Sequence, residues 1–261
     1  MASVPFTKAS ACGNDFLIID GRYAPADLGQ FSREICDRHN GVGADGVEWL
    51  FPGEGAEAAL RLINADGSEA EISGNGTRCV AAYLVATGGP HQLMIRTAAG
   101  VKRCELISRS GSRFEFEMEM GKPAVTEPFC VTLSSGKVQG TPVSVGNPHF
   151  VVLVTELPAA WQKQAAEIQR QSNFPEGVNV EFARMAGPAG IEVRFFERGV
   201  GETQSSGTGS CASAVAAIAA GMVQPRVAVA APGGTQIVSW DGGDVSLRGP
   251  ARLVCRGEYL A

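Results

Sequence analysis

Ser73-Gly74-Asn75-Gly76 recurs as Ser206-Gly207-Thr208-Gly209, 133 residues later, and each copy opens an Ala/Val/Leu-rich segment, Val80 to Ala86 and Ala212 to Ala220. A segment apolar on every side reads as a helix that the rest of the protein must surround. Gly13-Asn14-Asp15-Phe16 and Gly146-Asn147-Pro148-His149-Phe150 place their asparagines at the same 133-residue offset. A looser pair, Gly41-Val42-Gly43-Ala44-Asp45 against Gly177-Val178-Asn179-Val180-Glu181, sits at 136, the offset one small insertion would give. The chain therefore reads as two copies of one half-domain facing each other. The fold class expected is α+β, with two pseudo-symmetric halves, residues 1–118 and 119–261, each a mostly antiparallel sheet wrapped around a central apolar helix. The extreme C-terminal strands have the option of packing with the N-terminal half.

Local patterns fill in the halves. Phe16 to Asp20 is an apolar run after the Gly13-Asn14 turn and predicts a buried strand. Leu28, Phe31, Ile35 and Cys36 have helical spacing within Ala26 to Asn40, ended by the loop Gly41 to Gly46. Val47 to Phe51 and Ala58 to Ile63 predict strands, and Asn64-Ala65-Asp66-Gly67 a turn of the Asp-Gly type. Gly88-Gly89-Pro90 stops the first apolar helix. Leu93 to Arg96, Lys102 to Ser108 and Arg113 to Met118 stand at hairpin spacing, which favours antiparallel sheet over βαβ crossovers. The second half follows the same order. Strands are expected at Val131 to Leu133, Gly140 to Val145 and Phe150 to Val154, then a helix over Ala159 to Arg170. Strands at Val178 to Ala183 and Ile191 to Glu197 lead into the second entrance, and Val227 to Ala230, Gln236 to Trp240, Val245 to Leu247 and Ala251 to Glu258 follow it.

Composition excludes several function classes. The net charge of −5, with no Lys/Arg run, argues against a nucleic-acid partner. Apolar runs fall short of the roughly 18 residues of a membrane span, so no membrane partner and a cytoplasmic location are expected. Seven cysteines are scattered without a CxxC pair, and three histidines lack ligand spacing, so neither a disulfide framework nor a metal site is expected. Neither Gly-rich entrance continues into a dinucleotide or P-loop pattern, and no cofactor is expected.

The entrances themselves suggest a site. A helix N-terminus presents unpaired N–H groups and the positive end of a dipole, and glycine lets a ligand approach that backbone closely. Taken singly, Ser73 and Ser206 read as N-caps, and the asparagines as turn residues. The duplication of the whole tetrad asks for more than a cap.

The stretches Asn64 to Cys79 and Glu197 to Cys211 resemble the two signatures of the diaminopimelate epimerase family. The motifs at Gly13-Asn14-Asp15-Phe16, Gly41 to Asp45, Gly146-Asn147-Pro148-His149 and Gly177-Val178-Asn179-Val180 resemble that family's as well, in the same order and over nearly the whole chain. The resemblance implies two pseudo-symmetric halves, each wrapping a sheet around a helix, and a cofactor-independent epimerase that interconverts LL- and meso-diaminopimelate in lysine and peptidoglycan precursor synthesis. In that family one cysteine thiolate removes the α-proton and a second cysteine delivers a proton to the opposite face. Here the two catalytic cysteine positions fall on Ser73 and Ser206, while Cys79 and Cys211 match neighbouring motif cysteines that should point into the helix packing. A serine hydroxyl is a weaker acid than a thiol and needs an activating group.

Three readings follow. The serines are activated, with His149 or Glu197 relaying a proton; or the chain is a relative with other chemistry at the α-carbon, such as a hydroxy amino acid dehydratase or another isomerase; or it is a catalytically silent amino-acid-binding protein, its serines natural or engineered. The resemblance further implies substrate contacts from Asn14, Asn64, Asn147 and Asn179, backbone donors at Gly74-Asn75 and Gly207-Thr208, and a distal binding pair in Glu197 and Arg198 suited to a second carboxylate and ammonium. Gly46 stands where some relatives carry a polar side chain, which would loosen that wall of the pocket. A homodimer is implied by the family alone.

Overall fold

The computed structural model describes residues 3–260. Residues up to Met118, with those from Gly249 onward, form one compact unit, and Glu119–Arg248 form a second.

The first unit runs β1 (Ser3–Ala11), β2 (Asn14–Asp20), α1 (Leu28–Cys36), β3 (Gly46–Phe51), β4 (Ala58–Asn64), β5 (Glu69–Ala70), α2 (Gly74–Ala86), β6 (Gln92–Thr97), β7 (Gly100–Ser110) and β8 (Arg113–Gly121). The second runs β9 (Ala124–Val125), β10 (Phe129–Leu133), β11 (Gly136–Ser144), β12 (Pro148–Val154), α3 (Trp161–Gln169), β13 (Asn179–Met185), β14 (Gly190–Glu197), β15 (Gly201–Thr203), α4 (Gly207–Ala219), β16 (Arg226–Ala231) and β17 (Gly234–Ser239), with β18 (Val245–Leu260) ending the chain. Both the α1/α3 and the α2/α4 bounds differ by 133 residues, the spacing of the two tetrads.

Three features depart from the sequence expectations or add to them. Val245 to Leu247 and Ala251 to Glu258 are not two strands but parts of β18, whose first residues pair with β17 and whose remainder pairs with β1. Parallel crossovers do occur: β2 pairs with β3 across α1, and β12 with β13 across α3, in parallel register. Finally, the third motif pair also obeys the 133 offset. Phe16 faces Gly46 across β2 and β3 while His149 faces Asn179 across β12 and β13, so Gly46-Val47-Glu48 corresponds to Asn179-Val180-Glu181. The apparent 136 came from matching two glycine loops of unlike length.

The hairpin-spaced stretches are antiparallel, β6 with β7 and β7 with β8. β1 and β2 are joined through Cys12 and Gly13, both at positive φ (48° and 88°), which closes a two-residue connection between right-twisted strands. In the first unit the pairing β18–β1–β2–β3–β4–β6–β7–β8 returns to β18, so the strands surround α2.

The helices differ in what they bury. α1 is amphipathic: Asp27 caps it by accepting the Gln30 N–H at 2.9 Å, and Phe31, Ile35 and Cys36 face Trp49 and Leu17 in one cluster. α3 repeats this with Trp161, Ala165 and Ile168 against Phe150 and Phe182. Each buried large apolar side chain of this kind contributes roughly 1.5–3 kcal/mol. α2 and α4 are buried along most of their length instead: α2 from Gly74 through Ala82, and α4, built mostly of small residues, from Gly207 through Ala217. Cys79 and Cys211 lie wholly inside this packing, as their positions implied. No described helix is long and apolar enough to cross a membrane.

Candidate active site

Each unit carries a cluster of the predicted residues, organised around the N-terminus of its central helix. In the first, Ser73 is the N-cap of α2 and its Oγ accepts the Gly76 N–H at 3.0 Å. Thr77 ties the turn back by donating its hydroxyl to the Ser73 carbonyl at 2.8 Å. Asn75 is buried, and its amide joins a chain: Asn75 Nδ2 donates to Asn14 Oδ1 at 2.7 Å, and Asn14 Nδ2 to Asp45 Oδ2 at 3.0 Å. The buried Arg78 donates through Nη2 to Asn75 Oδ1 at 2.5 Å and through Nε to the Pro250 carbonyl at 3.3 Å. Beyond the chain, Asp15 pairs with Lys8 and Arg38 at 2.9 and 2.7 Å. Burial works against the Asp15 carboxylate, but bonds from Arg38 and Lys8 hold it below the usual range.

The cluster in the second unit has the same frame with different chemistry. Ser206 caps α4 and its Oγ accepts the Gly209 N–H at 3.2 Å. Asn147 Nδ2 donates to Thr208 Oγ1 at 3.4 Å, and Asn147 Oδ1 lies 3.0 Å from His149 Nε2. His149 Nδ1 pairs with Glu181 Oε1 at 2.7 Å, and both side chains are shielded from solvent. Burial pushes the Glu181 carboxyl up while His149 acts in the opposite sense. Glu197, half-buried at the end of β14, is pushed up by burial as well, and the Ser206 hydroxyl near it opposes that rise. Ser206 thus has a backbone N–H and a carboxylate near it.

The structure brings most of the predicted residues together, each within its own unit. Ser73, Gly74, Asn75 and Asn14 gather in the first unit; Ser206, Gly207, Thr208, Asn147, His149 and Glu197 gather in the second. Asn64 is engaged locally, its Nδ2 donating to Ser68 Oγ at 3.0 Å in the turn after β4. Asn179 is engaged by the backbone, donating to the Pro148 carbonyl at 2.9 Å and accepting the Arg198 N–H at 3.0 Å. Glu197 lies near the Ser206 hydroxyl, and Arg198 is exposed, its Nη1 donating to the Glu176 carbonyl at 3.0 Å. His149 is held between Glu181 and Asn147, and no hydrogen bond joins it to Ser206 among the described residues. At Gly46 a Cβ would stand 2.9 Å from the Ile63 carbonyl oxygen on the paired strand, so a side chain there needs the backbone to shift. Sequence reasoning missed Asp45 and Arg78 as network members, and Glu48 and Glu181, the buried carboxyls that the 133 offset pairs.

The same fold occurs in a hydroxyproline epimerase from Agrobacterium vitis (TM-score 0.73, 18% identity, covering 99% of this chain and 91% of that one) and in a Bacillus anthracis phenazine biosynthesis protein of the PhzF family (TM-score 0.75, 17% identity, all of both chains). The three chains share one fold. Residues 6–126 and 141–254 match the diaminopimelate epimerase family. Diaminopimelate epimerases from Desulforudis audaxviator and Acidiphilium cryptum are each 38% identical to it, across 98% and 100% of this chain and 99% and 98% of theirs. The chain belongs to the diaminopimelate epimerase family.

Proposed function

We propose that the protein interconverts LL- and meso-diaminopimelate by proton transfer at the α-carbon, in lysine and cell-wall precursor synthesis, with Ser73 and Ser206 as the two acid/base groups. The reading rests on family membership and on one observation, the Ser206 hydroxyl that accepts the Gly209 N–H near the Glu197 carboxylate. A lone serine is a poor base. A carboxyl raised by burial and near it is better matched to neutral pH, and Glu197 can take the hydroxyl proton as Ser206 takes the one on carbon. The electron pair left on carbon spreads into the α-carboxylate, and backbone N–H groups at a helix N-terminus stabilise that charge. Reprotonation by the other serine on the opposite face inverts the centre.

The test is to incubate the protein with LL-diaminopimelate and separate the isomers by chiral chromatography, with free hydroxyproline as a parallel substrate. Formation of the meso isomer supports the reading. Conversion of hydroxyproline with none of diaminopimelate overturns it in favour of chemistry on a smaller substrate.

A further inference from the structure

We propose that Glu48 is a proton-relay residue behind Ser73, exchanging a proton with the Ser73 hydroxyl while that hydroxyl exchanges one with the substrate. The inference rests on the epimerase reading above and extends it to a residue that no signature motif contains.

Glu48 lies in the middle of β3, is fully shielded from solvent, and neither of its carboxyl oxygens has a hydrogen-bond partner. Its register neighbours across the sheet are the apolar Ile18 and Leu62. The carboxyl is turned onto the first turn of α2. A Cβ on Gly76 would overlap Glu48 Oε1 and would stand 3.2 Å from Ser73 Cβ, so the acid and the serine flank one spot that only glycine leaves open. The Ser73 hydroxyl accepts the Gly76 N–H and donates to no described residue.

The repeat sharpens the point. Glu181 holds the equivalent place in the second unit, its Oε1 lying 2.8 Å from where a Gly209 Cβ would stand, but it is paired with His149. Phe16 occupies the position equivalent to His149, so no imidazole accompanies Glu48. A buried carboxyl without a partner costs free energy that an apolar residue would not, and such a cost persists where the group is used. Burial alone pushes Glu48 up to about 8. From α2 the titratable and charged groups facing this side are Cys79, itself kept a neutral thiol by burial, and the buried Arg78; Cys12 and Asp15 also face Cys79. A group titrating near 8 can hold or release a proton at working pH, unlike an exposed glutamate.

The exchange balances without a co-reactant. As Ser73 Oγ takes the α-proton it gives its own hydroxyl proton to the Glu48 carboxylate. The substrate C–H bond and the original Ser73 O–H bond break, and new O–H bonds form on Ser73 and Glu48. In the opposite direction the neutral Glu48 carboxyl returns its proton to Ser73, which passes one to carbon.

Carboxyl NMR on full-length protein labelled with 13C-glutamate, with Glu48 assigned through Glu48→Gln, is the test, together with the pH profile of kcat. A carboxyl that titrates near 8 and changes its midpoint in Ser73→Ala supports the relay, as does a kcat lowered on the order of 100-fold in Glu48→Gln with KM little altered, the ionisation near 8 missing from its profile, and partial rescue by Glu48→Asp. A Glu48 midpoint indifferent to Ser73→Ala, or a Glu48→Gln enzyme with undiminished kcat and unaltered profile, overturns it. Should the wild-type protein fail to turn over diaminopimelate, the epimerase reading fails, and the NMR arm still decides whether Glu48 and Ser73 share a proton.

Discussion

Replacing Glu48 by glutamine should change how stability depends on pH, by an amount the burial of this one group sets. The carboxyl keeps its proton to about 8 in the folded protein, against the ordinary 4.5. Below 4.5 both states carry the proton and the group leaves stability unaffected. Between 4.5 and 8 the folded chain retains a proton that the unfolded chain releases, so rising pH draws the equilibrium toward unfolding by up to about 1.4 kcal/mol per unit, or about 5 kcal/mol in full. Above 8 the loss is complete. Glutamine has nearly the same shape and does not titrate, so subtraction cancels Glu181, Glu197 and every other group common to both proteins. Urea unfolding at pH 5, 6, 7 and 8 should show wild type losing about 3 kcal/mol more than Glu48→Gln across that range. Two curves that run parallel would refute a buried, unpartnered carboxyl at position 48.

Further substitutions probe the second unit. Glu181 depends on His149 as its one hydrogen-bond partner. His149→Ala should therefore cost about 3–5 kcal/mol in urea unfolding, whereas a purely peripheral histidine would cost well under 1. Gly209→Ala pushes a methyl to 2.8 Å from both Glu181 Oε1 and the Phe195 ring, and should lower stability by about 1–3 kcal/mol despite alanine's better helix propensity; a gain in melting temperature would contradict the packing described. Ser206→Ala loses the cap on Gly209 at about 1 kcal/mol. The same variant should lose nearly all turnover, and retained turnover would show that the serine only caps.

The fold was legible because the chain states it twice. The tetrads at Ser73 and Ser206 fixed the helix entrances, and the hairpin-spaced strands after the first apolar helix are antiparallel as read. What escaped was long-range pairing. Nothing local distinguishes the parallel partners β2 and β3 from the two arms of a hairpin, and Gly249-Pro250 looked like a break between strands although β18 runs through it. Glu48 was hidden for a related reason: glycine-rich loops invite alignment on their glycines, and that alignment set Asp45 against Glu181. Burial, which makes Glu48 unusual, has no sequence signature. The serines illustrate the reverse limit. Both do cap their helices, as serine ordinarily would, and only the placement of Glu197 and Glu48 separates a cap from a working group.

The most direct measurement is deuterium incorporation at the α-carbon of LL-diaminopimelate in deuterated buffer, followed by NMR and mass spectrometry for the protein and for its Ser73→Cys/Ser206→Cys variant. The account predicts that the protein as it stands incorporates deuterium and forms the meso isomer through its two serines. Incorporation by the double-cysteine variant alone would show a diaminopimelate site without working acid/base groups, and incorporation by neither would contradict the substrate assignment itself.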